Sequence, residues 1–372
     1  MDRREELLKF IAKAQRGIEV GPWYNPLTPK RDGYDCLVLD VFDATVQRQR
    51  ILDNPEIEDA QAERVEEVDL LGTTASLQSL VDARGELGSF DYIVSSHNIE
   101  HIPNPIQFLR GCGRVLRAGG LLSLAAPDRR VSFDFFRPHT PLAAWLAAWL
   151  EGRTRPSFMQ MFELESLHSR FDRDGALLGG FGLDDDASRV VALRTLAQAY
   201  DSWRERIDTG DTDYHDTHCW AFTPASFELL IRDAVYLRLI PFELQEISAT
   251  NGNEFYAHLR NVGFGLAPTP AETESFYEYR QQLLHRINDE AGANSIETAA
   301  LRRALAQATE HISRIDPTVR AQEHLEARLV ELEYANRAQA EALSAYRAST
   351  SWRVTAPLRW LGTAWRTVRG SA

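Results

Sequence analysis

Long apolar runs, cysteine and net positive charge are scarce in this sequence of 372 residues, and each scarcity excludes something. No stretch of about 18 apolar residues is present to span a bilayer, and no N-terminal segment resembles a signal peptide, so the expected location is cytoplasmic. The three cysteines, Cys36, Cys112 and Cys219, have no metal-type spacing, and two lie in apolar runs. They read as buried thiols in a reducing compartment. Lys and Arg total 41 against 54 Asp and Glu, a net charge of -13 that argues against a general nucleic-acid binder. With 44% hydrophobic residues the chain can fill a core, and its length allows one large domain with appendages.

The richest stretch runs from Phe90 to Asp128. Tyr92-Ile93-Val94 is a short buried strand that breaks off at Ser95, Ser96 and His97. Pro103 and Pro105 sit where a helix begins, and Phe108, Leu109, Cys112, Val115 and Leu116 recur at helical spacing. Gly119-Gly120 is the expected stop of that helix, and 121–126 reads as another buried strand. Strand–helix–strand units of this kind make parallel sheets, whose ligands lie beyond the carboxyl ends of the strands. His97, Glu100, His101 and Asp128 fall at those ends.

Upstream, 3–16 reads as a helical lead-in, followed by strands at 18–20, 36–39 and 65–70, a polar helical stretch over 45–64 and a helix over 75–83. This rhythm predicts a doubly wound, mainly parallel α/β sheet. From 130 to 216 the composition turns to aromatic, Arg and Asp/Gly-rich, with helices expected at 141–151 and 187–207; an insert of this size is placed to cover a site. Thr223-Pro224 starts a helix over 224–235, and 242–249 with 254–260 makes a hairpin around Asn251-Gly252-Asn253. The domain is expected to span 1–264. Residues 271–348 read as helical, interrupted at Pro317, with Leu325, Leu329, Leu332, Asn336, Gln339, Leu343 and Tyr346 in a short heptad register. That register suits a homodimer through 325–346 or a helix folded back on its own domain. The tail 349–372 interleaves Arg with Trp and has no acid from Ser351 onward, which suits the inner membrane face or an acidic partner.

Glu19 and Gly21 close the first strand, where a mononucleotide-type cofactor meets backbone. Asp40 follows 19 residues after Gly21, the place for an acid that binds ribose hydroxyls, and Asp69 ends the third strand near an adenine edge. His97 and His101 are candidate general bases, with Glu100 orienting one of them or helping to bind a divalent metal. His215 and His218, with Asp211, Asp213 and Asp216, form a second cluster that suits sugar hydroxyls or a metal, although its spacing matches no zinc motif and a loop hydrogen-bond network is the plainer reading. Asp128, Arg129, Arg130 and Arg137 sit beside the fifth strand, where the arginines can grip a phosphate or simply form ion pairs.

These motifs together resemble the class I S-adenosylmethionine-dependent methyltransferases. The likeness is to a bacterial branch whose first motif is E-I-G-P, here Glu19-Val20-Gly21-Pro22 with Pro26. The S-H-x-I-E-H-x-P motif stands at 96–103, the P-D and F-D-x-x-R-P block at 127–138 and the H-x-W-x-F-T-P block at 218–224. The resemblance spans about residues 15–262. It implies a Rossmann-like seven-stranded sheet with a reversed strand from the hairpin and a helical or coiled-coil extension beyond the domain. S-adenosylmethionine would be the cofactor and S-adenosylhomocysteine the product. Glu19, Gly21 and Pro22 would hold the methionine part, Asp40 the ribose and Asp69 the adenine, and Ser96 with His97 would line the floor beside the sulfonium. The chain departs from the wider superfamily at the later glycine positions, which are Trp23 and Asn25. The tail at 349–359 resembles segments that follow coiled helices in bacterial surface-polysaccharide glycosyltransferases. The implied reaction is O-methylation of a sugar in such a polysaccharide, with glycosyltransferases as partners and no nucleic acid. The rivals are an inactive scaffold in a glycan-assembly complex and a methyltransferase for a small metabolite or lipid.

Overall fold

The computed structural model describes residues 2–293 apart from Glu56, Thr212 and Tyr214, then single positions at 304, 307 and 309, and 317–348. The chain divides into two units, Met1–Ala299 and Ala300–Ala372. In the first, helix α1 (Arg3–Leu7) precedes strands β1 (Arg16–Val20) and β2 (Asp35–Asp40), helix α2 (Ala44–Leu52) and strand β3 (Leu70–Leu71). Helix α3 (Leu77–Asp82), strand β4 (Phe90–Ser96), helix α4 (Pro105–Val115) and strand β5 (Leu116–Pro127) complete the parallel half. The insert carries helices α5 (Leu142–Leu150), α6 (Phe158–Leu167) and α7 (Leu196–Thr209), and a small antiparallel sheet of β6 (Ser169–Arg173), β7 (Ala176–Leu178) and β8 (Val190–Ala192). Helix α8 (Pro224–Tyr236) leads to the hairpin β9 (Phe242–Ile247) and β10 (Glu254–Asn261), followed by α9 (Pro270–Ala293). The main sheet has seven strands in the order β3-β2-β1-β4-β5-β10-β9, with β10 antiparallel to both neighbours. This is the mainly parallel seven-stranded α/β sheet expected from the sequence.

The pleat divides the core in two. Ile93, Leu122 and Leu124 join α4 and α8 in the larger cluster, while their sequence neighbours Tyr92, Val94, Leu121 and Ala125 point to the other face with Leu7 and Leu27. Asn104 caps α4 by accepting from Gln107 N, and Thr223 caps α8 by accepting from Ser226 N.

Several elements differ from the sequence reading. The lead-in is helical only over Arg3–Leu7, and the third strand keeps two residues. Helix α4 ends at Val115, before Gly119-Gly120; these glycines lie inside β5, where Gly119 has φ +74° and a Cβ on Gly120 would meet Arg117 O at 3.0 Å. The helix expected over 187–207 begins at Leu196, because 190–192 pairs with β6. Helix α6 and the small sheet had no clear periodicity to announce them. The compact unit also runs past 264. On α9, Phe276 stacks on Tyr236 at 3.9 Å and Arg280 grips Asp233 on α8 through both carboxylate oxygens.

In the second unit, α10 (Pro317–Ala348) is one helix. Its Leu325, Leu329, Leu332 and Leu343 are exposed. The side chain of Tyr346 and the tail 349–372 lie outside the described residues. No described helix is long and apolar enough to cross a membrane.

Candidate active site

A cleft of about 360 Å³ opens over the carboxyl ends of the strands. Its floor at one end is Val20-Gly21 from β1 and Leu39-Asp40 from β2, and Gly72 to Ala75 close that side. The other end is the corner between β4 and α4, at Asn98 and His101. The insert supplies a rim of Arg153, Arg155, Asp213, His215 and Asp216. The volume lies in the range of small-molecule sites. Gly21 has φ +60°, and a Cβ there would stand 2.8 Å from Asn98 Oδ1, so the backbone approach at β1 needs glycine. The Asn98 amide donates to Val20 O and Ser96 O, locking the two strand ends together. Trp23, at a later glycine position of the superfamily, lines the cleft with φ +46°. Burial lifts the Asp40 carboxyl above its usual value, opposed by the N–H groups of Phe42 and Val41.

Thus Gly21, Asp40, His101, Asp213, His215 and Asp216 share one cleft, whereas Glu19, Asp69, Ser96, His97, Glu100, Asp128, Arg129, Arg137 and His218 do not line it. Pro22 adjoins Gly21 in the chain but is not among the lining residues. Glu19 turns its carboxylate into its own loop, accepting from Leu27 N at 2.7 Å and from Thr28 N and Oγ1 at 2.8 and 2.7 Å. Asp69, expected near an adenine edge, does not line the cleft: its Oδ2 accepts from Val38 N and Lys30 Nζ, which ties the edge of β2. Asp128, expected at the substrate, is fully buried and bound by both oxygens to Arg130 and through Oδ2 to Thr250 Oγ1. Arg137, expected to grip a phosphate, is buried against Asp134, Glu163 and Cys219 O, so it joins the 133–138 block to the 218–224 block. Arg129 donates to Phe135 O, and burial lowers its pKa.

His97 leaves β4 in the left-handed region at φ +51°. Its Nε2 is 2.6 Å from Glu254 Oε2 on β10 and its Nδ1 is 3.4 Å from Glu100 Oε1. Burial opposes its charge, but the carboxylates of Glu100 and Glu254 outweigh that and raise its pKa to about 9. Held as imidazolium, His97 has no lone pair with which to act as a base near neutrality. Ser96 accepts from Arg3 Nη2. Glu100 is wholly buried; burial pushes its carboxyl up, but the surrounding His97, His101 and His218 hold it below the usual range. His101 Nδ1 lies 2.9 Å from Asp216 Oδ1, and burial is again outweighed, so its pKa is raised. His218 Nδ1 lies 2.6 Å from Asp134 Oδ2, and its ring packs on Phe133 and edge-on to His101. Burial opposes ionisation of Asp134, but His218 and Arg137 bring its pKa down to about 2. His215 Nε2 is paired with Asp211 Oδ2 at 2.5 Å. The sequence reading missed Glu254, Arg153 and Arg155. Only the hairpin pairing Glu254 with Pro127 brings that acid to His97.

Among curated proteins, the chain matches the ubiquinone biosynthesis O-methyltransferase of Xanthomonas oryzae pv. oryzae at 39% identity over 54 residues, 14% of this chain and 23% of that protein. It therefore spans under a quarter of the length of these relatives. Among solved structures, an S-adenosylmethionine-dependent methyltransferase from Methanosarcina mazei aligns with TM-score 0.35 at 12% identity, over 68% of this chain and 95% of that one. One from Mesorhizobium loti aligns with TM-score 0.34 at 12% identity, over 69% and 97%. Residues 1–176, a little under half of the chain, match the family model of a methyltransferase domain.

Proposed function

We propose that the protein transfers a methyl group from S-adenosylmethionine to a hydroxyl of a sugar in a bacterial surface polysaccharide or its precursor, leaving S-adenosylhomocysteine. The observation that carries this reading is the continuity of one cleft from the Gly21–Asp40 end to the His101–Asp216 corner. The first end suits a nucleoside, with Asp40 on the ribose hydroxyls and backbone at Gly21 facing the amino-acid part. The second end suits an acceptor hydroxyl. Methyl transfer is an in-line displacement in which the acceptor oxygen bonds to the methyl carbon as the carbon–sulfur bond breaks, so positioning does most of the work. The proton of the hydroxyl passes to the Asp216–His101 pair, whose carboxylate is open to the cleft. Calorimetry with S-adenosylmethionine tests the first half of the reading; no heat at millimolar cofactor would favour the inactive scaffold. Mass spectrometry of surface glycan from cells with and without the gene tests the second half, through loss of one methyl increment.

A second reading, transfer to a small metabolite or lipid, draws support from the name of the Xanthomonas relative. Removal of 318–372 separates the two. Turnover on a free metabolite survives it, whereas turnover on a membrane-linked glycan needs the basic tail at the inner membrane face or on a glycosyltransferase. The exposed leucines of α10 suit pairing with a second copy through 325–346.

A further inference from the structure

Behind the cleft wall lies a group of side chains that the proposed transfer leaves without a task. Neither carboxylate oxygen of the wholly buried Glu100 accepts a hydrogen bond. Its Oε1 lies 3.8 Å from His101 Nε2 and 4.0 Å from His218 Nε2. His218 Nδ1 is hydrogen-bonded to Asp134 at 2.6 Å, and the Asp216 carboxylate stands at ion-pair distance, 2.9 Å, from His101 Nδ1. A proton on each Nδ1 leaves a lone pair on each Nε2, so three electron-rich atoms face one another within 4.8 Å. The His97 imidazolium, with Nδ1 3.4 Å from Oε1, offsets part of the cost of this buried carboxylate from one side, and a cation between the two Nε2 atoms would offset it from the other. Carboxylates that fix the outer nitrogen of an imidazole are also how proteins orient histidine ligands toward a metal.

We propose that Glu100, His101 and His218 form a binding site for one divalent transition-metal ion, with Asp134 and Asp216 as the orienting carboxylates. Two imidazoles and one carboxylate suit zinc or manganese rather than calcium or magnesium, which prefer oxygen alone. Metal–ligand bonds of about 2.0–2.1 Å set ligand atoms roughly 3.3 Å apart, so the Glu100 contacts of 3.8 and 4.0 Å close by about 0.5 and 0.7 Å on loading. Three protein ligands leave a coordination position open. His101 lines the cleft, so the ion sits at the acceptor end, where it lowers the pKa of a hydroxyl bound to it. In this arrangement His101 binds through Nε2, and Asp216 remains to take the proton. The inference deepens the transferase reading and rests on it only for that last consequence.

The test uses the full chain, stripped with chelator and dialysed against Zn²⁺ or Mn²⁺, with bound metal read by elemental mass spectrometry. The expected result is one ion per wild-type chain, with affinity at least about 100-fold weaker in His101→Ala and Glu100→Gln and about 10–100-fold weaker in Asp134→Asn. Circular dichroism checks that each variant is folded. If Glu100→Gln fails that check, His101→Ala and the visible spectrum of the Co²⁺-loaded wild type decide, because bands of low-coordinate nitrogen and oxygen ligation appear only if the site forms. A wild-type chain that takes up neither ion and gives no Co²⁺ bands overturns the proposal, as does His101→Ala binding metal as tightly as wild type. Calorimetric binding of S-adenosylmethionine, measured alongside, fails if the transferase reading is wrong, whereas metal uptake fails only if this site is wrong.

Discussion

Replacing Glu19 with Ala separates two roles for the same carboxylate. In the fold, Glu19 accepts three hydrogen bonds from a turn that begins eight residues later, two from backbone N–H groups at Leu27 and Thr28, both buried. Each buried donor left without an acceptor costs about 1–3 kcal/mol. Removing the buried charge recovers part of this, since burial pushes the Glu19 carboxyl above its usual value. A net loss of about 2–4 kcal/mol is the result, and at roughly 2–4 °C per kcal/mol for a domain of this size the melting temperature falls by about 5–15 °C. Glu19→Gln keeps one acceptor oxygen but turns an amide NH₂ toward donors, so it falls between Ala and wild type. The assay pairs thermal unfolding by near-UV circular dichroism with calorimetric titration of S-adenosylmethionine. Affinity and stability should fall together, because the loop that ends in this turn leaves the cleft floor at Gly21. A variant that melts with wild type and yet loses the cofactor would refute the reasoning, since the carboxylate would then be serving the ligand and not the loop.

Asp40→Ala should lower cofactor affinity by about tenfold or more while shifting the melting temperature little, because its carboxylate bonds mainly its own loop at Phe42 N. Gly17→Ala places a Cβ 2.1 Å from the Tyr92 ring, and urea unfolding should show a loss of about 1–3 kcal/mol or more. Arg280→Ala leaves Asp233 facing α9 without its cation; the half-exposed arginine limits the cost to about 1–2 kcal/mol, read as faster protease cleavage within α9. His258 is buried, and burial holds its pKa down at about 4. Unfolded, it takes up a proton near its ordinary value of about 6.5, so its contribution is complete above that pH and is lost as the pH falls toward 4. Wild type should therefore lose about 2–3 kcal/mol more than His258→Leu between pH 7 and pH 4.5, measured by denaturant titration. Equal losses in the two proteins would discount the effect.

Elements that repeat a simple pattern were legible. The buried runs at 91–95 and 121–126 and the capped starts of α4 and α8 follow from residue type and spacing alone. The sheet at 169–192 and helix α6 were not, because short mixed segments carry neither period. At the site, the sequence correctly put Gly21, Asp40 and His101 at strand ends, but position on a strand end does not say which donors the loops bring back. Thr28 claims Glu19, Lys30 and Val38 claim Asp69, and Arg130 claims Asp128, all before any ligand can. Glu254 stands 157 positions from His97, a distance over which no local pattern reports contact.

The place of β10 in the sheet has a practical consequence for dividing the chain. The segment that carries the methyltransferase-domain match stops at residue 176, within β7, yet β5 is zipped along its length by residues from Glu254 to Arg260. A protein cut at that boundary would present Leu121 to Ala126 as a bare apolar border with its backbone groups unclaimed, an invitation to self-association. It would also strip His97 of Glu254. The stretch that sequence comparison recognises is thus shorter than the stretch that can stand alone, and the smallest independent piece must reach through Asn261.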